Sequence, residues 1–139
     1  MRLWHYKLIP TLPQQQLVAQ WRELVAIKRK IDKCGNPNHP LVNYVLKLSN
    51  KEWVEYCNLI YKEMLHRNYK PKQELLVELC NSNNFQGNKK LTDFHTELYY
   101  DICYYNLFEK CIRGIVSEEE WFNIPLREDL EILYGENNE

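Results

Sequence analysis

The amino terminus, MRLWH, carries the first group in the sequence that could take part in chemistry. A methionine followed by a bulky arginine is expected to stay in place, so Met1 would carry the free α-amine. The reference pKa of an α-amine is roughly 7.7–8.0, far below that of lysine, so an appreciable fraction is neutral and nucleophilic near pH 7. Such an amine becomes a candidate nucleophile where the chain builds a site around it.

Glu23 is a second candidate, and it lies in the segment TLPQQQLVAQWRELVAIKRKIDK. Thr11 and Gln14 have capping-box spacing and Pro13 falls in the first turn, so a long helix is predicted to start there. Its buried face is formed by apolar residues at intervals of three and four: Leu17, Trp21, Leu24, Val25 and Ile31. Glu23 flanks this face, where partial burial raises a carboxyl pKa toward the range that suits proton transfer. The alternative is an exposed acid in a surface ion pair.

Basic and aromatic residues are interleaved in the same part of the chain. Basic groups bind phosphates and aromatic rings stack on displaced bases, so this mixture is consistent with nucleic-acid binding. The alternative is a solvated basic surface. The members are Arg2, Lys7, Arg22, Lys28, Arg29, Lys30 and Lys33, together with Trp4, His5, Tyr6 and Trp21.

The net charge of −1 conceals a strong asymmetry between the two ends of the chain. Residues 1–33 carry seven Lys and Arg against two acids, whereas residues 116–139 carry one Arg against eight acids. A basic amino-terminal face suits phosphate contacts, while an acidic tail would be repelled by a nucleic acid.

Composition narrows the class of protein further. With 139 residues, 45% hydrophobic and 27% charged, and only 4 Gly and 6 Pro, the chain is expected to form a helix-rich globular domain. No apolar run approaches the roughly 20 residues of a membrane span, and the start is too polar for a signal peptide, so a cytoplasmic protein is expected. Cys34 and His39 could form half of a zinc site, but no second half follows at a suitable spacing, so no metal is expected.

The remaining segments also predict helices. A second helix starts at the capping box Ser49–Glu52 and ends at Asn68; KPKQELLVELC forms a short third helix and NSNNFQGNKK a long loop. LTDFHTELYYDICYYNLFEKCIRG predicts a fourth helix that stops at Gly114, SEEEWFN one or two capped turns, and LREDLEILY a last, weak helix. No segment shows strand alternation, so we predict an all-α fold in one domain, residues 1–139, with an acidic tail at about 116–139.

The segment MRLWHYKLIPTLPQQQLVAQWREL resembles the start of the pyrimidine-dimer DNA glycosylases of the bacteriophage endonuclease V family, and of bacterial relatives with a similar MRLWH start. The similarity continues through HPLVNYVLKLS and YKEMLHRNYKP, and through FHTELYYDICYYNLFEKCIRGI to about residue 115. The amino-terminal motif is the specific part, and the rest is mainly helix pattern.

The resemblance implies a compact helical domain whose amino terminus lies beside the long first helix. In this family the terminal α-amine attacks C1′ of the damaged nucleotide, forms a Schiff base and permits strand cleavage by β-elimination. Carried over, Met1 supplies the amine, Glu23 supports the proton transfers and Arg22 contacts phosphate. Arg2 is also expected to contact DNA on this basis, and Lys30, Trp4 and His5 of the basic and aromatic group are expected to contact it as well.

The resemblance also implies double-stranded damaged DNA as the partner, no cofactor, no metal and a monomer. The lesion stays open between a pyrimidine dimer, another damaged base and an abasic site. Gln16 stands where the family has a histidine, and the acidic carboxyl-terminal segment replaces a basic, aromatic one. Two alternatives are a non-catalytic helical module that binds DNA or protein, and an interaction protein that uses the acidic tail.

Overall fold

A computed structural model describes residues 1–81 and 84–130, and the regular elements of this part of the chain are helical. The α-helices are α1 (Gln14–Cys34), α2 (Asn50–His66), α3 (Gln73–Cys80), α4 (Glu97–Ile112) and α5 (Glu118–Phe122). Short 3₁₀ helices span Tyr6–Thr11, Asn43–Lys47 and Leu91–Asp93. Within the described ranges no strand forms, and pairing is limited to isolated bridges from Leu48 to Lys89 and from Ser49 to Gln86. The all-α prediction is therefore confirmed.

Helix α1 starts at Gln14, directly after Pro13, and the predicted capping box with Thr11 is wrong. Thr11 belongs to the preceding 3₁₀ helix, where its hydroxyl donates to the carbonyl of Leu8 at 3.3 Å. The cap comes instead from a distant segment, because the Gln14 N–H donates to Oε2 of Glu120 at 2.8 Å. A carboxylate at this end of a helix is also favoured by the helix dipole.

The start of α2 follows half of the predicted capping box, and its end follows the sequence signal. The Ser49 hydroxyl accepts a hydrogen bond from the N–H of Glu52, which begins the helix. The reciprocal bond is absent, because the N–H of Ser49 donates to the carbonyl of Lys89 and the Glu52 carboxylate accepts from the N–H of Leu91 at 3.2 Å, which joins α2 to the loop before α4. Asn68 ends the helix with a φ of 64°, a left-handed conformation that asparagine tolerates better than most residues.

Helix α4 begins later than the sequence predicts. The apolar spacing placed its start at Leu91, but residues 91–93 form a separate 3₁₀ helix and α4 starts after Thr96, whose hydroxyl accepts from the N–H of Tyr99. The break lets His95 turn inward, where its side chain is buried. The other end is as predicted, because Gly114 follows the helix with a φ of 78°.

The carboxyl-terminal segment begins with α5, which has the predicted capping box between Ser117 and Glu120. Of the predicted last helix in LREDLEILY, residues 127–130 are helical and the rest lies outside the described residues. The end of the acidic tail, residues 131–139, and positions 82 and 83 of the predicted long loop also lie outside them.

One hydrophobic core runs through the described residues, with α2 packed against α1 and α3. The predicted apolar face of α1 is buried as expected: Leu17, Trp21, Leu24, Val25 and Ile31. A second stripe of α1, which consists of Gln16, Gln20, Glu23, Ile27 and Lys30, is buried at Gln16, Gln20 and Ile27. No helix of the described part of the chain is long and apolar enough to cross a membrane.

Two histidines are buried where the amino-terminal segment meets the start of α4. His5 and His95 are each 3% exposed, and their ring centroids lie 5.2 Å apart. Burial lowers the pKa of His5 to about 4 and that of His95 to about 3, and in His95 the neighbouring His5 lowers the pKa further. The folded protein therefore holds both rings neutral at physiological pH.

We expect the free energy of unfolding to fall as the pH drops below about 6.5. The unfolded chain takes up protons on His5 and His95 near that pH, but the folded chain does so only at about pH 4 for His5 and about pH 3 for His95. Between these limits each ring lowers the free energy of unfolding by about 1.4 kcal/mol for every unit that the pH falls. Urea titrations at pH 7.5, 6.5, 5.8 and 5.2 measure the slope. His95→Asn should reduce the slope of the free energy of unfolding against pH, because one of the two buried rings is removed, whereas the exposed control His66→Gln should leave the slope unchanged. Equal slopes in all three proteins would contradict this account.

Candidate active site

Gln20 holds the amino-terminal segment against α1 through main-chain hydrogen bonds. Its side chain is 0% exposed. Its Oε1 accepts from the N–H of Trp4 at 2.7 Å, and its Nε2 donates to the carbonyl of Arg2 at 2.9 Å. The hydroxyl of Tyr56 on α2 lies 2.7 Å from the carbonyl of Trp4 and 3.0 Å from Oε1 of Gln20. The position of the segment on the helix is thus fixed by one buried amide and one buried hydroxyl.

The same amide connects the amino terminus to Glu23. Residues three apart on a helix lie on one face, and Nε2 of Gln20 also donates to Oε2 of Glu23 at 3.2 Å. Gln20 therefore bridges the carbonyl of Arg2 and the Glu23 carboxylate. Met1, the residue before Arg2, lines a cleft together with Glu23.

The environment of Glu23 raises its pKa. Burial of the half-exposed side chain disfavours the charged carboxylate, as its place beside the apolar face of α1 predicts. The positive charges of the terminal amine, Arg22 and Lys110 oppose this rise. Glu23 is thus a carboxyl that lies close to three cationic groups, one of which is the α-amine.

The cleft has a volume of about 570 Å³, within the range typical of ligand sites. Its basic groups are the terminal amine, Arg2, Arg22 and Lys110, against the single carboxylate of Glu23. Other lining residues are Trp4, Gln14, Gln15, Gln16, Val18, Ala19, Leu41 and Asn106. An excess of positive charge in a concave site attracts phosphate.

Three of the predicted DNA contacts lie in this cleft, namely Arg2, Arg22 and Trp4. The guanidinium carbon of Arg2 lies 5.6 Å from the centroid of the Trp4 ring, in a cation–π contact. Trp4 is only 5% exposed, so it forms the wall of the cleft rather than a projecting ring. Arg22 is exposed and its charge is open to an incoming ligand.

His5 does not lie in the cleft. Its Nδ1 accepts from the N–H of Lys7 at 3.1 Å and its Nε2 lies 3.1 Å from the carbonyl of His95. With both ring nitrogens used and the ring buried, His5 shapes the main chain at the start of the 3₁₀ helix Tyr6–Thr11. This placement argues against the direct DNA contact that the sequence suggested.

The basic residues in the second half of α1 also lie apart from the cleft. Lys30 is exposed, two turns beyond Glu23, and does not line it. Lys28 is buried and paired with Asp32, and Arg29 pairs with Glu78 of α3 at 3.1 Å. Ion pairing within the protein therefore occupies two of the cations that the sequence grouped with Arg22.

Sequence reasoning gave no role to Gln20, Asn106 or Lys110. Gln20 belongs to the half-buried stripe of α1. A buried glutamine must find hydrogen-bond partners, and this requirement could have identified Gln20 from the sequence. Asn106 and Lys110 are four residues apart on α4, so they share a helix face in an otherwise aromatic segment. The packing of α4 against the rest of the protein brings this face to the cleft, and the local sequence does not reveal that packing.

No group of three or more His, Cys, Asp or Glu side chains is arranged to hold a metal ion within residues 1–81 and 84–130. Of the half-site formed in sequence by Cys34 and His39, Cys34 is the exposed last residue of α1 and His39 lies in the loop that follows.

Comparison with known proteins supports the family suggested by the sequence. A family model described as pyrimidine dimer DNA glycosylase matches residues 1–77, more than half of the chain. No significant match was found among the curated proteins or among the solved structures. The matched region contains Met1, Gln20 and Glu23, whereas Asn106 and Lys110 lie beyond it.

Replacing Gln20 with leucine should lower the free energy of unfolding by about 2–4 kcal/mol, because it leaves the Trp4 N–H and the Arg2 carbonyl without buried partners. Gln16→Leu is the matched control: Gln16 is also buried on α1, but its Oε1 has no hydrogen-bond partner among residues 1–81 and 84–130. That change should be neutral or stabilising. Urea titrations of both variants test the prediction, and equal losses of stability would refute the role given to Gln20.

Proposed function

Because the chain belongs to the pyrimidine dimer DNA glycosylase family, we propose that it excises a damaged pyrimidine from duplex DNA and cleaves the resulting abasic site. The observation that carries this proposal is the convergence of Met1, Glu23 and three basic side chains on one cleft. The chain would act as a monomer, and its chemistry needs no metal or cofactor.

In the proposed reaction the neutral α-amine of Met1 attacks C1′ of the damaged nucleotide. The bond from C1′ to the base breaks, and the base leaves with the electron pair and takes up a proton. The amine then loses a proton, the C1′–O4′ bond opens, and O4′ is protonated, which gives a protonated Schiff base at C1′. Removal of a C2′ proton expels the 3′ phosphate by β-elimination, and water releases the amine.

Glu23 would carry the protons of these steps. A carboxyl group whose pKa is raised holds a proton more strongly than a solvated one, which suits a group that takes up and returns protons. As a carboxylate it would also stabilise the positive charge that develops on the sugar and the Schiff base. Its hydrogen bond from Gln20 would hold one of its oxygens in place.

Phosphate contacts would come from Arg2, Arg22 and Lys110, which line the same cleft as Met1. C1′ is shielded in a stacked duplex, so the damaged nucleotide must rotate out to reach the amine. The wall at Trp4 and the amides of Gln15 and Asn106 would then contact the extruded nucleotide.

Borohydride trapping tests the mechanism directly. The untagged protein, incubated with duplex DNA that carries an abasic site or a pyrimidine dimer and then reduced, should give a covalent adduct that mass spectrometry maps to the Met1 amine. Glu23→Gln should slow adduct formation by about 10²–10⁴-fold, which is the usual contribution of a positioned proton-transfer group.

Glu55→Gln removes the same charge from an exposed position on α2 and should leave the rate unchanged. An amino-terminal extension should abolish trapping while DNA binding persists. If a folded protein with a free terminus gives no adduct on either DNA, the proposed chemistry on these lesions is wrong. Binding that survives both Glu23→Gln and a blocked amine would then favour a non-catalytic DNA-binding module.

The position of the cleft predicts unequal roles for two exposed cations of α1. Arg22→Ala should weaken DNA binding and reduce the slope of log K against log salt by about 0.9, the effect of losing one phosphate contact. Lys30→Ala should change the slope less, because Lys30 does not line the cleft. Fluorescence anisotropy with abasic DNA at several salt concentrations measures both slopes. A larger effect of Lys30→Ala would place the DNA along the other half of α1.

A further inference from the structure

A second set of largely buried groups also holds the segment that carries the terminal amine. We propose that Tyr99 and His95 are positioning residues for this amine: Tyr99 holds the carbonyl of Leu3, and His95, in contact with Tyr44, holds the N–H of Tyr6. The inference rests on the proposed function, in which the amine is the nucleophile. The family match ends before His95 and Tyr99, so it assigns them no role.

Both residues hydrogen-bond to main-chain atoms of the amino-terminal segment. The N–H of Tyr6 donates to Nδ1 of His95 at 3.1 Å, and Nε2 of His95 lies 2.9 Å from the hydroxyl of Tyr44. The Tyr99 hydroxyl donates to the carbonyl of Leu3 at 2.5 Å. The rings of His95 and Tyr99 pack against each other, with centroids 5.0 Å apart. Leu3 and Tyr6, on the two sides of Trp4, are thus held by two neighbouring side chains.

The direction of each hydrogen bond follows from its ends. Nδ1 of His95 accepts from a main-chain N–H, so the proton of the neutral ring is on Nε2, which donates to Tyr44. Tyr99 uses its only hydroxyl proton on the carbonyl of Leu3. The Leu3 carbonyl therefore depends on the Tyr99 hydroxyl, and the Tyr6 N–H depends on the His95 ring.

The charge state of the network is constant around neutral pH. Burial raises the pKa of Tyr44 and of Tyr99, so both hydroxyls keep their protons, and burial lowers the pKa of His95 to about 3, so its ring stays neutral. The other titratable or charged groups around the two rings are His5, Tyr6 and Lys7 of the amino-terminal segment, Tyr56 of α2, Glu97, Tyr100 and Cys103 of α4, Arg127 of the last turn, and Arg2.

These residues act on the amine through the main chain. Neither His95 nor Tyr99 lines the cleft of Met1 and Glu23, so neither is placed to touch the substrate. Leu3 is two residues from Met1, and consecutive Cα atoms are 3.8 Å apart, so a shift at Leu3 passes to the amine within roughly 8 Å of chain. A misplacement of about 1 Å at a reacting group can cost about 100-fold in rate.

The chain offers a closely matched pair of variants to test this inference. Tyr99→Phe removes the hydroxyl that holds Leu3, whereas Tyr100→Phe removes the neighbouring hydroxyl on α4, which donates to the carbonyl of Pro125 at 2.6 Å and so holds the carboxyl-terminal segment. Both changes delete one partly buried hydrogen bond to a carbonyl. Tyr44→Phe removes the hydroxyl that contacts Nε2 of His95 and serves as a second variant should Tyr99→Phe fail to fold.

We expect Tyr99→Phe to slow borohydride trapping on abasic DNA at least about tenfold relative to Tyr100→Phe, with equal DNA affinity in the two variants. Hydrogen exchange supplies a readout that does not depend on activity. The amides of Trp4 and Tyr6 should exchange faster in Tyr99→Phe and in Tyr44→Phe than in Tyr100→Phe, because those N–H groups are held by Gln20 and His95.

Equal trapping rates and equal exchange in Tyr99→Phe and Tyr100→Phe would overturn the inference while leaving the proposed function intact. Faster exchange without slower trapping would also overturn it, because the network would then hold the segment without placing the amine. If the unaltered protein forms no adduct at all, the proposed function fails, and the amine has no reaction for Tyr99 to serve.

Discussion

A buried side-chain amide, Gln20, takes the place that a neighbouring strand would occupy beside the first residues of the chain. It accepts from the N–H of Trp4 and donates to the carbonyl of Arg2, and it reaches Glu23 with the same nitrogen. An amino-terminal segment is ordinarily mobile, because little contact offsets the entropy lost on ordering it. Here the buried hydrogen bonds supply that contact, and the spatial relation between the terminal amine and the carboxylate depends on them.

The distribution of charge follows from how the helices are assembled. The cleft collects basic groups from the amino terminus, α1 and α4, while the acidic α5 lies at the start of α1, where Glu120 accepts from the N–H of Gln14. The N–H groups at a helix start are natural anion sites, and this carboxylate occupies one of them. Gln14 and Gln15 also line the cleft, so the acidic segment adjoins one end of the basic site and limits where an anionic ligand can extend.

Local signals predicted the local features of this fold. The spacing of Leu17, Trp21 and Leu24 encodes the buried face of α1, and Asn68 and Gly114 end their helices because both tolerate a positive φ. Features that depend on contacts between distant segments were missed or misplaced. Glu120 caps α1 from 106 positions away, and His5 is buried because the break before α4 brings His95 against it. Of the site, Met1 and Glu23 were candidates from their own chemistry and Arg22 belonged to the basic cluster, and the family resemblance gave them their roles. Lys110 entered the cleft only through the packing of α4.

Gln20 forms hydrogen bonds only with main-chain atoms of Arg2 and Trp4, so these bonds do not depend on the side chains of the two residues. Any amino acid at position 2 presents the same carbonyl, and any except proline at position 4 presents the same N–H. Mutational drift can therefore alter the chemical character of the cleft mouth without displacing the segment that builds it. In such a fold the position of the terminus and the selectivity of the cleft can change independently during evolution. Substitutions around an unmoved terminus could then alter which lesion is bound.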